Sequence, residues 1–239
     1  MVRRAGVAQR RRPPTHVVGR WPRSRPSARS EGRLGSPEHR ASYSRSYLPH
    51  FDAAYIAQGL TFRLADSVPR SVIQRWREEI DLSEVLETDE ARYEELQRRI
   101  AHYEDAGFGE CHLRCPEIAT LVCQALLRFH RQRYRLREWC VMPNHVHVVV
   151  NLFKGFPPGD VVKSWKTFTA REANLLLGRT GRFWAREYHD RRIRNSEHLK
   201  RATAYIRNNP VKAGLRERPE DWPWSSASWG RKRSGGDGP

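Results

Sequence analysis

Met142-Pro143-Asn144-His145-Val146-His147-Val148-Val149-Val150 is the stretch on which the fold turns. Pro143 and Asn144 reverse the chain, and the residues after them alternate with the period of two that belongs to a β-strand. The alternation sends His145 and His147 to one side and Val146, Val148 and Val150 to the other. One face can be buried in a core while the opposite face offers imidazole nitrogens. Two imidazoles make half of a metal site. The same spacing also describes an ordinary half-exposed strand face, so further ligands must come from elsewhere in the chain.

A helix is predicted from Ser196 onward. Asn195 or Ser196 can cap its start, Leu199, Ala202 and Ile206 form an apolar stripe, and Pro210 is expected to end it. Tyr205 and Asn209 then stand four residues apart on one face. On spacing alone, such a tyrosine is a core or rim aromatic and Asn209-Pro210 a helix stop.

The order of the motifs adds what spacing lacks. From Leu136 to Leu215 the chain resembles the single-tyrosine HUH transposases, in particular the REP-associated tyrosine (IS200-like) transposases. The resemblance rests on Met142-Pro143-Asn144-His145-Val146-His147 and on Gly181-Arg182-Phe183-Trp184-Ala185-Arg186-Glu187-Tyr188-His189-Asp190-Arg191. Ile193-Arg194 and Tyr205-Ile206-Arg207-Asn208-Asn209-Pro210-Val211-Lys212-Ala213-Gly214-Leu215 complete it, and Thr61-Phe62-Arg63-Leu64 is a weaker match to the family's first strand. The resemblance implies an HUH endonuclease architecture, with His145 and His147 as metal ligands, Asn209 as the third ligand and Tyr205 as the nucleophile. It further implies Mg²⁺ or Mn²⁺ as cofactor and single-stranded or hairpin DNA as substrate. The product expected is a 5′-phosphotyrosine with a free 3′-hydroxyl, which a later 3′-hydroxyl can attack to rejoin DNA without ATP. A bacterial cytoplasmic, nucleoid-associated monomer or homodimer is the matching expectation for assembly and location.

The residue types suit that chemistry. A phenol with a pKa of about 10 is a poor nucleophile at neutral pH and needs a cation to offset charge on the scissile phosphate. Imidazoles, an amide oxygen and water leave positions for phosphate oxygens on such an ion. Two other readings use the same fold: a catalytically silent, structure-specific DNA-binding protein, and a metal-dependent phosphoesterase in which water attacks. The complete set of His145, His147, Tyr205 and Asn209 argues against the silent relative.

Charge points to a polyanion independently of any motif. Lys and Arg number 44 against 27 acidic residues, a formal net charge of +17. Part of the excess is a tail, since the first 46 residues hold twelve arginines and two glutamates. Arg182, Arg186, Arg191, Arg192 and Arg194 interleave with Phe183, Trp184 and Tyr188. This pattern can grip phosphates and stack on unpaired bases, or it can be a wet strand edge above buried aromatics. Lys163, Lys166 and Arg171, on a helix predicted over Gly159–Leu177, are further DNA-contact candidates; the wet face of a helix explains them equally.

Strands are predicted over Tyr55–Leu64, Tyr134–Val141, His145–Leu152 and Glu187–Arg194, with a helix over Pro116–Arg131 between the first two. With the 159–177 helix this gives β-α-β-β-α-β. The fold class is therefore α+β: a ferredoxin-like (split βαβ, palm or RRM-like) antiparallel sheet with helices on one face and the other left for DNA. Residues 47–229 read as one transposase domain and 70–111 as a charged helical insertion of unassigned role. Residues 1–46 and 230–239 read as disordered tails. No apolar run reaches membrane-spanning length, so no membrane partner is expected. Cys111 and Cys115 lack a second knuckle for zinc, and Cys123 and Cys140 read as buried thiols. Trp222, Trp224 and Trp229 resemble a segment that packs onto the domain, with base stacking as the sharper alternative.

Overall fold

The computed structural model describes residues 43–44, 49–50 and 56–229, so the tails expected over 1–46 and 230–239 lie outside the described residues apart from 43–44. Two short strands, β1 (Tyr43–Ser44) and β2 (Pro49–His50), pair with each other. The main elements are β3 (Ala57–Arg63), α1 (Arg70–Asp81), α2 (Asp89–Asp105) and α3 (Pro116–Arg128), followed by β4 (Tyr134–Val141) and β5 (His145–Leu152). Then come α4 (Pro158–Leu176), β6 (His189–Arg192) and α5 (Ser196–Lys212). The principal sheet runs β4-β5-β3-β6 with every pair antiparallel, the strand order of a split βαβ plan. Among the described residues no helix is long and apolar enough to cross a membrane.

Alternation sorts the side chains as the sequence predicts. Leu60, Phe62, Val146, Val148 and Val150 turn to one face and form the main core with Ile118, Val122 and Leu126 of α3 and Val162, Trp165 and Phe168 of α4. Phe62 lies between Trp165 and Trp184, with ring centroids 6.1 and 4.9 Å away. Thr61, Arg63, His145 and His147 turn to the opposite face. The register aligns His147 with Thr61, and Thr61 with His189 of β6, in one row across three strands.

Strand β4 departs from simple alternation. Its register shifts between Leu136 and Glu138, so the extra residue Arg137 exchanges the two faces and puts Trp139 and Val141 in the core and Glu138 and Cys140 behind. Glu138 is then buried at 3 % exposure, where it accepts from Ser226 at 2.5 Å and pairs with Arg207 of α5 at 3.1 Å.

The second face of the sheet is not left bare. Helix α5 packs there through Ile206, which joins Cys140, Met142, Val149, Ile193 and Trp222 in a second apolar cluster. The insertion contributes too: α2 reaches the same face through Tyr93 to His189 at 2.6 Å and Glu104 to Arg63 at 3.3 Å. Pro210 does not end α5, which continues to Lys212. One turn from the helix end a proline removes a single backbone hydrogen bond, and the chain closes normally beyond it, with Ala213 N–H on Asn209 and Leu215 N–H on Pro210. The tryptophan segment packs on the edge of β4: Trp222 donates to the Val141 carbonyl, and Trp229 meets Trp139 edge to face.

Phe62→Ala should cost about 3–5 kcal/mol of unfolding free energy in a urea titration, because it opens a cavity between two indoles. A loss below about 1 kcal/mol would show that this core does not depend on the β3 register.

Candidate active site

Histidines 145 and 147 are fixed by a turn and a strand. Met142 N–H donates to the His145 carbonyl at 2.8 Å, closing the Pro143-Asn144 reversal, and Leu64 N–H donates to the Asn144 carbonyl. Asn144 is buried, and its side-chain nitrogen donates to the Phe108 carbonyl at 2.9 Å. That leaves its amide oxygen facing His145 Nδ1 at 2.7 Å. An amide oxygen only accepts, so Nδ1 carries the proton and His145 Nε2 presents a lone pair. His147 Nδ1 lies 2.8 Å from the Thr61 hydroxyl, which can donate or accept. The two Nε2 atoms approach to 2.9 Å with the rings nearly perpendicular, 80° apart.

Both rings are buried, at 1 % and 6 % exposure. Burial, followed by the neighbouring His147, drives His145 well below the usual histidine range. Burial and then His189 take His147 down to about 4. Both are therefore neutral at pH 7, the form that binds a cation.

A third donor arrives from the insertion, where no motif or spacing marks one. Asp105 ends α2, and its Oδ1 stands 3.8 Å from His145 Nε2. Donor atoms of Asp105, His145 and His147 all lie within 4.8 Å of one another, an arrangement that could hold a metal ion. Asn209 is wholly buried, and its amide lies near enough to the Tyr205 hydroxyl to act on it without reaching full hydrogen-bond geometry.

Tyr205 occupies the same place from above. Its ring centroid is 5.6 Å from that of His147, and Lys212 Nζ sits 4.7 Å over its face. It remains 36 % exposed although the histidines beneath it are sealed. Burial, then Asp105 and Glu104, raise its hydroxyl to about 12, against a lowering by the Asn209 amide. The phenol is thus protonated at neutral pH, chiefly because it is buried, with Asp105 and Glu104 adding to the effect.

Residues 117–209 match the family model described as Transposase IS200 like. Over this segment, less than half of its length, the chain is similar to the IS200-like transposases. The REP-associated tyrosine transposase of Escherichia coli (strain K12) is 26 % identical over 103 residues, which cover 43 % of this chain and 60 % of that protein. The match therefore spans less than two thirds of the relative's length. A solved structure of a REP-associated tyrosine transposase bound to a REP hairpin aligns at a TM-score of 0.46 and 18 % identity, covering 84 % of this chain and 89 % of that one.

Within the IS200-like segment the expected site residues do not all gather in one place. His145, His147 and Tyr205 meet, and Asn209 lies one turn beyond Tyr205. Lys163, Lys166 and Arg171 are on α4, which packs on the far face of the sheet from the histidines. Lys166 donates to the Arg186 carbonyl at 2.9 Å, and burial draws its ammonium down to about 8; Arg171 pairs with Glu172. Phe183 and Trp184 are core residues, at 2 % and 4 % exposure, so neither ring offers a face for base stacking. Arg182, Arg186, Arg191 and Arg194 stay outside it, with Arg191 and Arg194 facing Glu94 and Glu90 of α2 at 3.5 and 4.0 Å. Arg192 is half-buried, and its Nε has no partner. All four cysteines are free, with Cys123 and Cys140 buried as expected.

A histidine lowered to about 4 in the native state takes up no proton where the unfolded chain does, below 6.5, so it destabilises the native state progressively between those values. In the presence of a chelator, wild type should lose stability relative to His147→Gln as pH falls from 6.5 toward 4. Parallel urea midpoints for the two proteins across that window would contradict the buried neutral state.

Proposed function

We propose that this chain is a metal-dependent transposase: a single-stranded DNA endonuclease and strand transferase acting on hairpin-forming repeat DNA. The observation that carries the reading is the exposed hydroxyl-bearing ring of Tyr205 lying 5.6 Å from a buried pair of imidazoles whose Nε2 atoms converge. A nucleophile and a cation-binding centre on one chain are what a phosphotyrosine mechanism requires.

His145 and His147, with Asn209, would hold Mg²⁺ or Mn²⁺. The fit rests on the neutral, convergent nitrogens and on the buried amide of Asn209, which makes no full hydrogen bond. A bound dication would polarise the scissile phosphate and offset the charge that builds on it. Tyr205 Oη attacks the phosphorus, the bond to the 3′-oxygen breaks, and the phosphate remains ester-linked to the tyrosine. The phenolic proton leaves as that bond forms, and the departing 3′-oxygen takes a proton to become the free hydroxyl. Lys212, over the Tyr205 ring, favours negative charge developing at that ring. Rejoining is the reverse attack by a 3′-hydroxyl, which releases Tyr205.

The partner is set by charge. A chain of formal charge +17 attracts phosphate backbones without sequence preference, and Arg182, Arg186, Arg191 and Arg194 at the β6 edge offer exposed guanidinium groups.

Incubation with labelled hairpin DNA and Mn²⁺ should give a denaturant-resistant protein–DNA band in wild type and none in Tyr205→Phe. Cleavage that survives in Tyr205→Phe would replace this mechanism with attack by water. Binding without cleavage in wild type would replace it with a structural DNA-binding role. His147→Ala should lower cleavage at least about 100-fold with DNA affinity largely retained; undiminished cleavage would remove His147 from the site.

A further inference from the structure

The insertion of residues 70–111 brings more than decoration to the sheet. Its second helix, α2, runs over the face that carries the histidines and ends there on Asp105. We infer that Asp105 is an anionic ligand of the cation held by His145 and His147, and that the cation thereby fastens α2 to the sheet. The inference rests on the proposed metal centre and assigns it a residue from outside the segment of family likeness, since 105 precedes the matched residues 117–209.

The spacing of the donors suits one ion. Two donors each about 2.1 Å from one ion stand between roughly 3.0 and 4.2 Å apart, according to the angle between them. The Nε2 atoms at 2.9 Å and Asp105 Oδ1 at 3.8 Å from His145 Nε2 fall at or inside that window with little movement. Asp105 and His145 also line a shared cleft of about 70 Å³ with Met142, Pro143 and Ala213, room for water on the remaining side of an ion.

Arg114 lines the same cleft, and Lys212 and His102 act on Asp105 electrostatically, yet none of them donates to its inner oxygen. The Asp105 side chain is 34 % exposed as a whole, yet its Oδ1 is shielded from solvent and has no hydrogen-bond partner. Nor does His145 give it one. Its single proton is committed to Asn144 through Nδ1, so Nε2 turns a lone pair toward the carboxylate oxygen. Burial raises the Asp105 carboxyl above the usual carboxylate range, and a cation between its inner oxygen and the His145 lone pair would satisfy both atoms. Asp105 also stands at the C-terminal end of α2, where the negative end of the helix dipole adds attraction for a cation.

Helix α2 meets the sheet and the chain just after β6 through the Tyr93–His189 hydrogen bond, the Glu104–Arg63 pair and the exposed pairs Glu94–Arg191 and Glu90–Arg194. Exposed pairs at 3.5–4.0 Å contribute little. A cation shared by Asp105 and two strand residues adds a tie at the C-terminal end of the helix, beside the Glu104–Arg63 pair. An anionic oxygen ligand also shifts the centre toward hard dications such as Mg²⁺ and Mn²⁺.

The test measures Mn²⁺ affinity by calorimetry on the full chain, together with amide hydrogen exchange over residues 89–105 with and without Mn²⁺. Wild type should bind one Mn²⁺, and binding should slow exchange in the last turns of α2. Asp105→Asn should bind Mn²⁺ at least about tenfold more weakly, lose that slowing and melt without metal no lower than wild type. If Asp105→Asn binds as tightly as wild type while His147→Ala does not bind, Asp105 is no ligand and the histidine centre stands. Wild-type exchange over 89–105 that ignores bound Mn²⁺ overturns the coupling without recourse to any variant. If wild type binds no Mn²⁺ at all, the metal centre falls, and this inference with it.

Discussion

Two buried imidazoles pointing nitrogen to nitrogen at 2.9 Å are the constraint around which the rest of this molecule is arranged. Neither ring can take a proton without cost, because each is sealed from water and faces the other. The geometry survives because the outer nitrogens are held: Asn144 accepts from His145, and the Thr61 hydroxyl engages His147. Asn144 is held in turn by the Phe108 carbonyl, at the far end of the insertion. The orientation of the histidine pair thus depends on chain that precedes it by almost forty residues.

The sheet makes this arrangement rigid. Pairing of β5 with β3 over seven residues sets the register that brings Thr61 opposite His147, and a slip of one residue would turn both histidines into the valine core. Helix α5 is anchored beside them by Ile206 in the second apolar cluster and by Arg207 on the buried Glu138. Those two residues directly follow Tyr205 and fix the turn on which it sits. Bulge, buried carboxylate and tyrosine helix form one connected support.

Much of this is legible in the chain. Period-two alternation places every strand of the main sheet to within a few residues, and the apolar stripe with its Asn195 cap places α5. The histidines and the tyrosine are visible because their spacing and order are local or motif-like. The bulge at Arg137 is not, since one extra residue leaves no mark in a strand of mixed Tyr, Arg, Leu and Glu. Helix α5 outruns the stop expected at Pro210 because a proline breaks a helix interior but is tolerated in its last turn. Asp105 is invisible for another reason. It stands among many acidic residues of a charged insertion, and only the tertiary fold, forty residues on, brings it to His145. The cover over the second sheet face belongs to the same class of fact, because Tyr93 and Glu104 show no apolar periodicity that announces what they touch.

If the converging nitrogens of His145 and His147 form a cation site beneath a nucleophilic tyrosine, an ion must sit between them. Anomalous diffraction from crystals of the full chain grown with Mn²⁺ would locate it. One strong anomalous peak is expected about 2.2 Å from both Nε2 atoms, on the Tyr205 side of the sheet. Crystals that carry Mn²⁺ elsewhere and leave the two nitrogens hydrogen-bonded only to each other would contradict the cation site.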